Sequence, residues 1–189
     1  QLNDAKHSDG ISIIILNHNG ARYLDKLLTT FFQKNTYNPV EIIIVDHNST
    51  DDTNEVIERN KHKGDIKQIK RDKNYTFSES CNYAAGKATF TYLLFINNDV
   101  VYTNDVLPIA INKITENIGV IGVRLDDYPS TLPGVVNQKI QHRGIEFKWN
   151  AKRGYYQPEQ IRHNCISEDT KQNIYCPAVT GAFLLCRKD

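Results

Sequence analysis

Short, unbroken apolar runs alternate along this chain with longer stretches in which apolar residues recur every three or four positions. The first run, Ile11-Ser12-Ile13-Ile14-Ile15-Leu16, is β-branched and of strand length, as expected for a strand buried on both faces. The turn-forming Asn17-His18-Asn19-Gly20 stops it. Over residues 22–33 Leu24, Leu27, Leu28 and Phe31 mark one face of an amphipathic helix, which Asn35 to Pro39 ends. Ile42-Ile43-Ile44-Val45 predicts a second buried strand, and in the Asp46 to Asp52 stretch behind it Ser49 or Thr50 can cap a short helix that turns Val56 and Ile57 inward. Residues 66–69 give a weaker third strand, about 78–87 a helix, and Leu93-Leu94-Phe95-Ile96 a fourth strand with Asn97-Asn98-Asp99 directly behind it.

A helix over about 104–116 is expected to bury Val106, Leu107, Ala110, Ile111 and Ile114, with Pro108 early enough to be tolerated, and residues 120–123 a fifth strand. Past Arg124 the order weakens. Residues 125–138 read as a loop, 144–149 as a strand of a hairpin, 153–171 as a polar excursion and 182–186 as a last buried strand. Strand and helix alternating at these intervals predict an α/β fold with a mostly parallel sheet and right-handed crossovers. Ligands of such sheets bind at the carboxyl ends of the strands, where the polar clusters 17–19, 46–52 and 97–99 all fall.

With 189 residues, 40% hydrophobic and 24% charged, the chain is expected to form one globular domain, and a formal charge of +1 argues against a nucleic-acid partner. No apolar run approaches the roughly 18 residues of a membrane span. Residues 1–10 form a polar extension without the apolar stretch of a secretory signal, so a cytoplasmic location is expected. Cys81, Cys165, Cys176 and Cys186 form no CxxC pair and read as reduced thiols. The absence of Met, and an end three residues after an apolar run, lead to the expectation that both ends are cuts.

Neither GxGxxG nor GxxxxGK[ST] occurs, so the charge of a phosphorylated ligand would have to be met otherwise. A divalent ion held by one carboxylate and the ligand's own phosphates is one way, and Asp99 is placed for it, although Asn97-Asn98-Asp99 also reads as a plain turn. Asp46 can accept hydrogen bonds from a base or ribose, or simply shape a helix-entry turn. His18 and His47 follow two different strands at the same sheet edge, whereas Asn82 is an ordinary exposed amide unless its helix lines the crevice. Trp149, Tyr155 and Tyr156 can stack on sugar rings or complete a core.

Ile11 through Gly20, Glu41 through Asp51 and Tyr92 through Asp99 resemble, in order and spacing, the donor half of glycosyltransferase family 2. Asn74 to Asn82, containing Phe77, is similar to that family's Asn-x-Gly-Phe segment, with Thr76 in place of the usual Gly. Ile140 to Gly144 and Thr180 to Leu185 resemble two further markers of its bacterial polysaccharide, rhamnosyltransferase-like branch. The resemblance implies a GT-A fold over residues 11–189, with a donor half at 11–123 and a partial acceptor half with a smaller mixed sheet at 124–189. It implies a nucleotide-diphosphate sugar donor, UDP- or dTDP-linked, a divalent metal, Mn²⁺ or Mg²⁺, and a glycan or lipid-linked acceptor, compatible with a peripheral position at the inner face of a membrane.

By the same resemblance Asp99 is the metal ligand, Leu16, His18, Asp46, His47, Asn82 and Asn98 face the donor nucleotide, and His142, Thr180 and Gly181 lie on the acceptor side. Asn97 departs from the family's usual first acid, His18 from its usual Tyr and His47 from its usual second acid. The reaction implied is an inverting displacement whose catalytic base is expected beyond Asp189; Glu168 and Asp169 precede Thr180 and are not taken for it. Two rival readings are a catalytically inactive nucleotide-sugar binding module and a sugar nucleotidyltransferase. The second would need a Gly-rich basic loop that Asn17 to Gly20 does not supply.

Overall fold

A computed structural model of the chain describes residues 10–127, 140–161 and 173–188. β1 (Ile11–Asn17), α1 (Ala21–Lys34), β2 (Val40–His47), α2 (Thr53–Asn60), β3 (Asp65–Arg71), α3 (Phe77–Ala85) and β4 (Tyr92–Asn97) follow one another as successive β-α units. Then come α4 (Leu107–Ile111), β5 (Val120–Ile121), β6 (Leu125–Asp126), β7 (Ile140–His142), β8 (Ile145–Asn150), β9 (Tyr155–Gln160) and β10 (Phe183–Arg187). The main sheet has the order β3-β2-β1-β4-β10-β5, in which β1, β2, β3 and β4 are parallel and β10 runs antiparallel to both β4 and β5. The smaller sheet expected on the acceptor side takes the form of two antiparallel ribbons among the described residues, β6-β7 and β8-β9.

Each central strand divides its side chains between two cores, which is why its sequence reads as an unbroken apolar run. On one face Ile11, Ile13 and Ile15 of β1, Ile42 and Ile44 of β2 and Leu94 and Ile96 of β4 pack with Leu24, Leu27, Leu28 and Phe31 of α1 and Val56 and Ile57 of α2. On the other face Ile14, Ile43, Val45 and Leu93 meet Ala84 of α3. At the amino ends of the strands the fully buried Glu41 accepts hydrogen bonds from the Ser12 hydroxyl, from the Thr89 N–H and hydroxyl and from the Lys67 ammonium. A buried carboxylate so surrounded is compensated, and the hydrogen bonds tie β1, β2, β3 and the approach to β4 together.

Several elements differ from expectation for identifiable reasons. The helix expected over about 104–116 contracts to α4, because the Asp105 carboxylate is held by the N–H and hydroxyl of Thr36 and because turns bonded three residues apart follow Ile111. Ile111 and Ile114 reach the core nevertheless. The fifth strand covers Val120–Ile121 only, and the segment read as a loop begins with β6. The start of the presumed polar excursion is the return strand of a hairpin, with Phe147 opposite Pro158 and Trp149 opposite Tyr156. Neither Ser49 nor Thr50 caps α2; its N-cap is Asp52, and Ser49 and Thr50 bond to Asn19 instead. Cys81, Cys176 and Cys186 are free thiols, as expected, while Cys165 lies outside the described residues.

Candidate functional site

The chain runs from β1 outward to β3 and returns to place β4 on the other side of β1, so the direction of winding reverses between β1 and β4. In a sheet of this kind a crevice opens at that point, outside the carboxyl ends of the two strands. A shallow cavity of about 80 Å³ lies there, lined by Ile14, Leu16, Phe77, Cys81, Phe95, Ile96, Asn97 and Asn98. Leu16 and Asn98 thus both line this cavity. Phe77 and Cys81, one turn apart on α3, form the opposing wall. Burial pushes the Cys81 thiol up to about 11, so it serves as an apolar lining group.

Three loops meet beside this cavity and are bonded to one another. The Asn17 side chain, 1% exposed at the end of β1, donates to the Ser49 and Thr53 hydroxyls at 3.3 and 3.0 Å and accepts from the Asn98 amide at 2.8 Å. Asn19, in the left-handed region with φ 49°, donates its N–H to Ser49 and accepts from the Thr50 N–H. Asp51 takes the N–H of Ala21 on one oxygen and both the N–H and hydroxyl of Thr53 on the other, which joins the first turns of α1 and α2. Gly20 allows this close approach, since a Cβ there would lie 2.4 Å from the Asn98 side-chain nitrogen and 2.7 Å from Oδ1 of Asn17, and one of the two amides would have to shift.

Asp46 is buried, and its two oxygens accept from the Ser49 N–H and from the Gln68 amide. His18 is exposed, with Nδ1 2.7 Å from the His47 carbonyl oxygen, an arrangement that makes Nδ1 the protonated nitrogen. His47 is buried, with Nε2 2.8 Å from the Ser80 hydroxyl of α3. Burial, together with the positive charges of Arg71 and His18, holds the His47 imidazole below its usual range against the opposing pull of Asp46. The structure therefore brings His18, Asp46 and His47 together on the β2 side, and Leu16 and Asn98 together in the cavity.

Asp99 follows Asn98 at the tip of the turn after β4, exposed, and its carboxylate bonds to no group among the described residues. Among those residues no cluster of three His, Cys, Asp or Glu side chains could hold a metal. One exposed carboxylate does fit a cation whose remaining ligands are phosphate oxygens and water. Asn82 is exposed and is not among the cavity-lining residues. The buried His142 accepts the Thr180 N–H on Nε2 at 3.2 Å, which ties β7 to the segment entering β10. Gly181 lets the Phe77 ring approach to 3.2 Å of where its Cβ would stand, so this segment borders the cavity through Phe77.

Trp149 and Tyr156 meet edge to face at 5.2 Å on the exposed hairpin, outside the cavity lining. Glu168 and Asp169 lie outside the described residues. Sequence reasoning placed Asn17 in a polar cluster at the ligand end and Phe77 in a family-like segment without giving either a role in the site, and it gave none to Ser80 or Cys81. A polar residue closing an unbroken apolar strand run, and an i, i+4 pair facing a strand end, were the available signals.

Residues 12–177 match the sequence profile of Glycosyl transferase family 2. No curated protein matches the chain. Among solved structures, the mannosyltransferase PcManGT from Pyrobaculum calidifontis, in complex with GDP-Man and Mn²⁺, superposes with a TM-score of 0.56 at 18% identity, over 61% of this chain and 35% of that one. TarS residues 1–349 from S. aureus give a TM-score of 0.51 at 24% identity, over 55% of this chain and 31% of that one. The same protein in complex with UDP-GlcNAc gives 0.50 at 23% identity, over 55% and 30%. The chain spans about a third of the length of these structures. The likeness is one of fold, and that fold is GT-A.

Proposed function

The chain belongs to glycosyl transferase family 2, and on that premise we propose that its β1/β4 crevice binds a nucleoside-diphosphate sugar for transfer to a glycan or lipid-linked acceptor. The observation that carries the reading is the junction of three loops beside one cavity at the winding reversal, with the exposed Asp99 next in the chain to the cavity-lining Asn98. The GDP-Man and Mn²⁺ in the mannosyltransferase and the UDP-GlcNAc in TarS belong to those proteins and support the same ligand class here.

In this reading the base lies on the β2 side, where His18 is open to stacking or hydrogen bonding and Asp46 and His47 hold the loop from beneath. The diphosphate lies toward Asn98 and Asp99. Asp99 would hold a divalent cation, Mn²⁺ or Mg²⁺, and the positive charge supplied there favours departure of the diphosphate as the acceptor hydroxyl displaces it with inversion. Leu16, Phe77 and Cys81 give the sugar an apolar wall, and the Thr180–Gly181 segment, anchored by His142, borders the acceptor side. The base that deprotonates the acceptor is assigned to none of the described residues.

Calorimetric titration with UDP, dTDP and GDP, each with and without Mn²⁺, tests the reading. Saturable binding of one nucleotide, tightened by Mn²⁺, is expected, and Asp99→Ala should abolish the tightening while leaving metal-free binding within about twofold, since an exposed carboxylate holds nothing else in place. Absence of binding by the folded protein would defeat the proposal. Binding without transfer is favoured as a second reading by Asn97, which lines the cavity where the family's first acid is usual, and an assay for nucleotide release in the presence of acceptor glycans separates the two.

A further inference from the structure

We infer that Asn17 is a positioning residue that couples the base side of the donor site to its metal side, by holding Asn98 and through it the turn that carries Asp99. The inference rests on the reading of the crevice as a nucleotide-sugar site and adds a residue to it.

Asn17 is nearly fully buried at the strand end where the winding reverses, and each hydrogen-bonding group of its side chain has a partner on a different loop. The Thr53 hydroxyl gives its proton to Asp51, so toward Asn17 it can only accept, which turns the Asn17 NH₂ toward Thr53 and Ser49. The Asn17 carbonyl oxygen is thereby left facing the loop after β4, where it takes one proton of the Asn98 amide at 2.8 Å. Orientation of Asn98 therefore follows from the packing of α2's first turn. Ser49 is bonded in turn to Asn19 and, through its N–H, to Asp46, so a shift of the β2 loop toward a base is carried to Asn98 through one side chain.

Gly20 closes the arrangement, since its bare Cα packs against both partners of the Asn17–Asn98 bond. Asp99 has no bond of its own to fix it among the described residues; its place is set by the turn of which Asn98 is the anchored member. A polar side chain buried at this depth and satisfied on three sides would serve stability alone if its partners were all structural. Asn98 is not, because it also lines the cavity.

The experiment is a double-mutant cycle on binding, read by calorimetry with UDP, dTDP and GDP as probes, with and without Mn²⁺, on the wild type, Asn17→Ala, Asn98→Ala and the pair. Loss of the bond to Asn98, one of the three that Asn17→Ala removes, should weaken Mn²⁺-dependent binding by about five- to tenfold. The ratio of affinities with and without Mn²⁺ should fall by a similar factor. In the Asn98→Ala background the same substitution should add less than about twofold, because the residue through which it acts is already gone.

Gly20→Ala, whose methyl would crowd both amides of the Asn17–Asn98 bond, should reproduce the selective loss and serves if Asn17→Ala does not fold. Equal weakening with and without Mn²⁺, or full additivity with Asn98→Ala, overturns the inference and leaves the site reading standing. Failure of the wild type to bind any of the three nucleotides overturns the site reading and the inference with it.

Discussion

His47 ends β2 in the buried interior of the site, where the sequence alone leaves it as one of two histidines at a sheet edge. Its imidazole is desolvated and faces Arg71 and His18, so the folded protein favours the neutral ring and the unfolded chain, with the ordinary value of 6.5, takes up a proton first. The unfolded state therefore binds more protons below that value, and stability falls as pH drops through about 6.5. His47→Gln, which can still meet Ser80, should show a shallower loss of thermal midpoint between pH 7 and pH 5 than the wild type; equal slopes would mean that His47 takes up its proton alike in the folded and unfolded states. Asp99 was named from its place behind an apolar run and Leu16 and Asn98 from the family resemblance, and the last two line one cavity. Asn17 was given no role, because a buried amide shows its role only through partners 32, 36 and 81 positions away. Asp46 was legible by position, and its oxygens accept from Ser49 and Gln68, partners that local sequence does not show.

Elements that bury a continuous apolar face were read closely from sequence: the helix expected over 22–33 is α1, Ala21–Lys34, and the strands expected at 11–16, 42–45 and 93–96 all form. Those settled by single side chains were not. Nothing in local periodicity shows that Asp105 is held by Thr36, 69 positions away, and so keeps the start of the expected fourth helix out of helical form. Thr76 is the converse case. It departs from the glycine of the family's segment and proves to be the N-cap of α3, extended at φ −63° and ψ 154°, with its side chain accepting the Glu79 N–H. The acid at the third helical position adds to the favourable first turn. Thr76→Ala should cost about 1 kcal/mol of stability in urea unfolding, and Thr76→Gly only a few tenths. Because α3 carries Phe77 and Cys81 into the cavity wall, fraying of its first turn should also raise the dissociation constant of the bound nucleotide sugar more than that of the nucleotide alone.

At the scale of the whole molecule the parallel sheet separates two polar networks, one at each end of the strands. Asn17, Asp46 and Asn98 gather at the carboxyl ends, and Ser12, Glu41, Lys67 and Thr89 at the amino ends. Four residues of β2 lie between Glu41 and Asp46, five steps or roughly 16 Å of extended chain, beyond the range over which substitutions usually interact. The amino-end network should therefore govern stability without touching the site. Burial pushes the Glu41 carboxyl up, but hydrogen bonds from Lys67, Ser12 and Thr89 outweigh it and hold the group down at about 2 instead of 4.5. The folded state then binds fewer protons than the unfolded one between these values, so the contribution is complete above pH 4.5 and is lost as pH falls toward 2.

Glu41→Gln keeps an acceptor for Ser12 and Thr89 and gives up the charge. With Lys67 partly exposed and able to recover its hydration, the loss at pH 7 should be about 2 kcal/mol, below the cost of stranding a buried cation. The variant should lose its deficit relative to the wild type as pH falls through the window below 4.5, and its affinity for nucleotide at pH 7 should match the wild type. Urea unfolding across pH and calorimetric titration at pH 7 read the two halves separately. A matched loss in both would mean that the two ends of the sheet move as one body and that the site depends on more of the fold than the loops beside it.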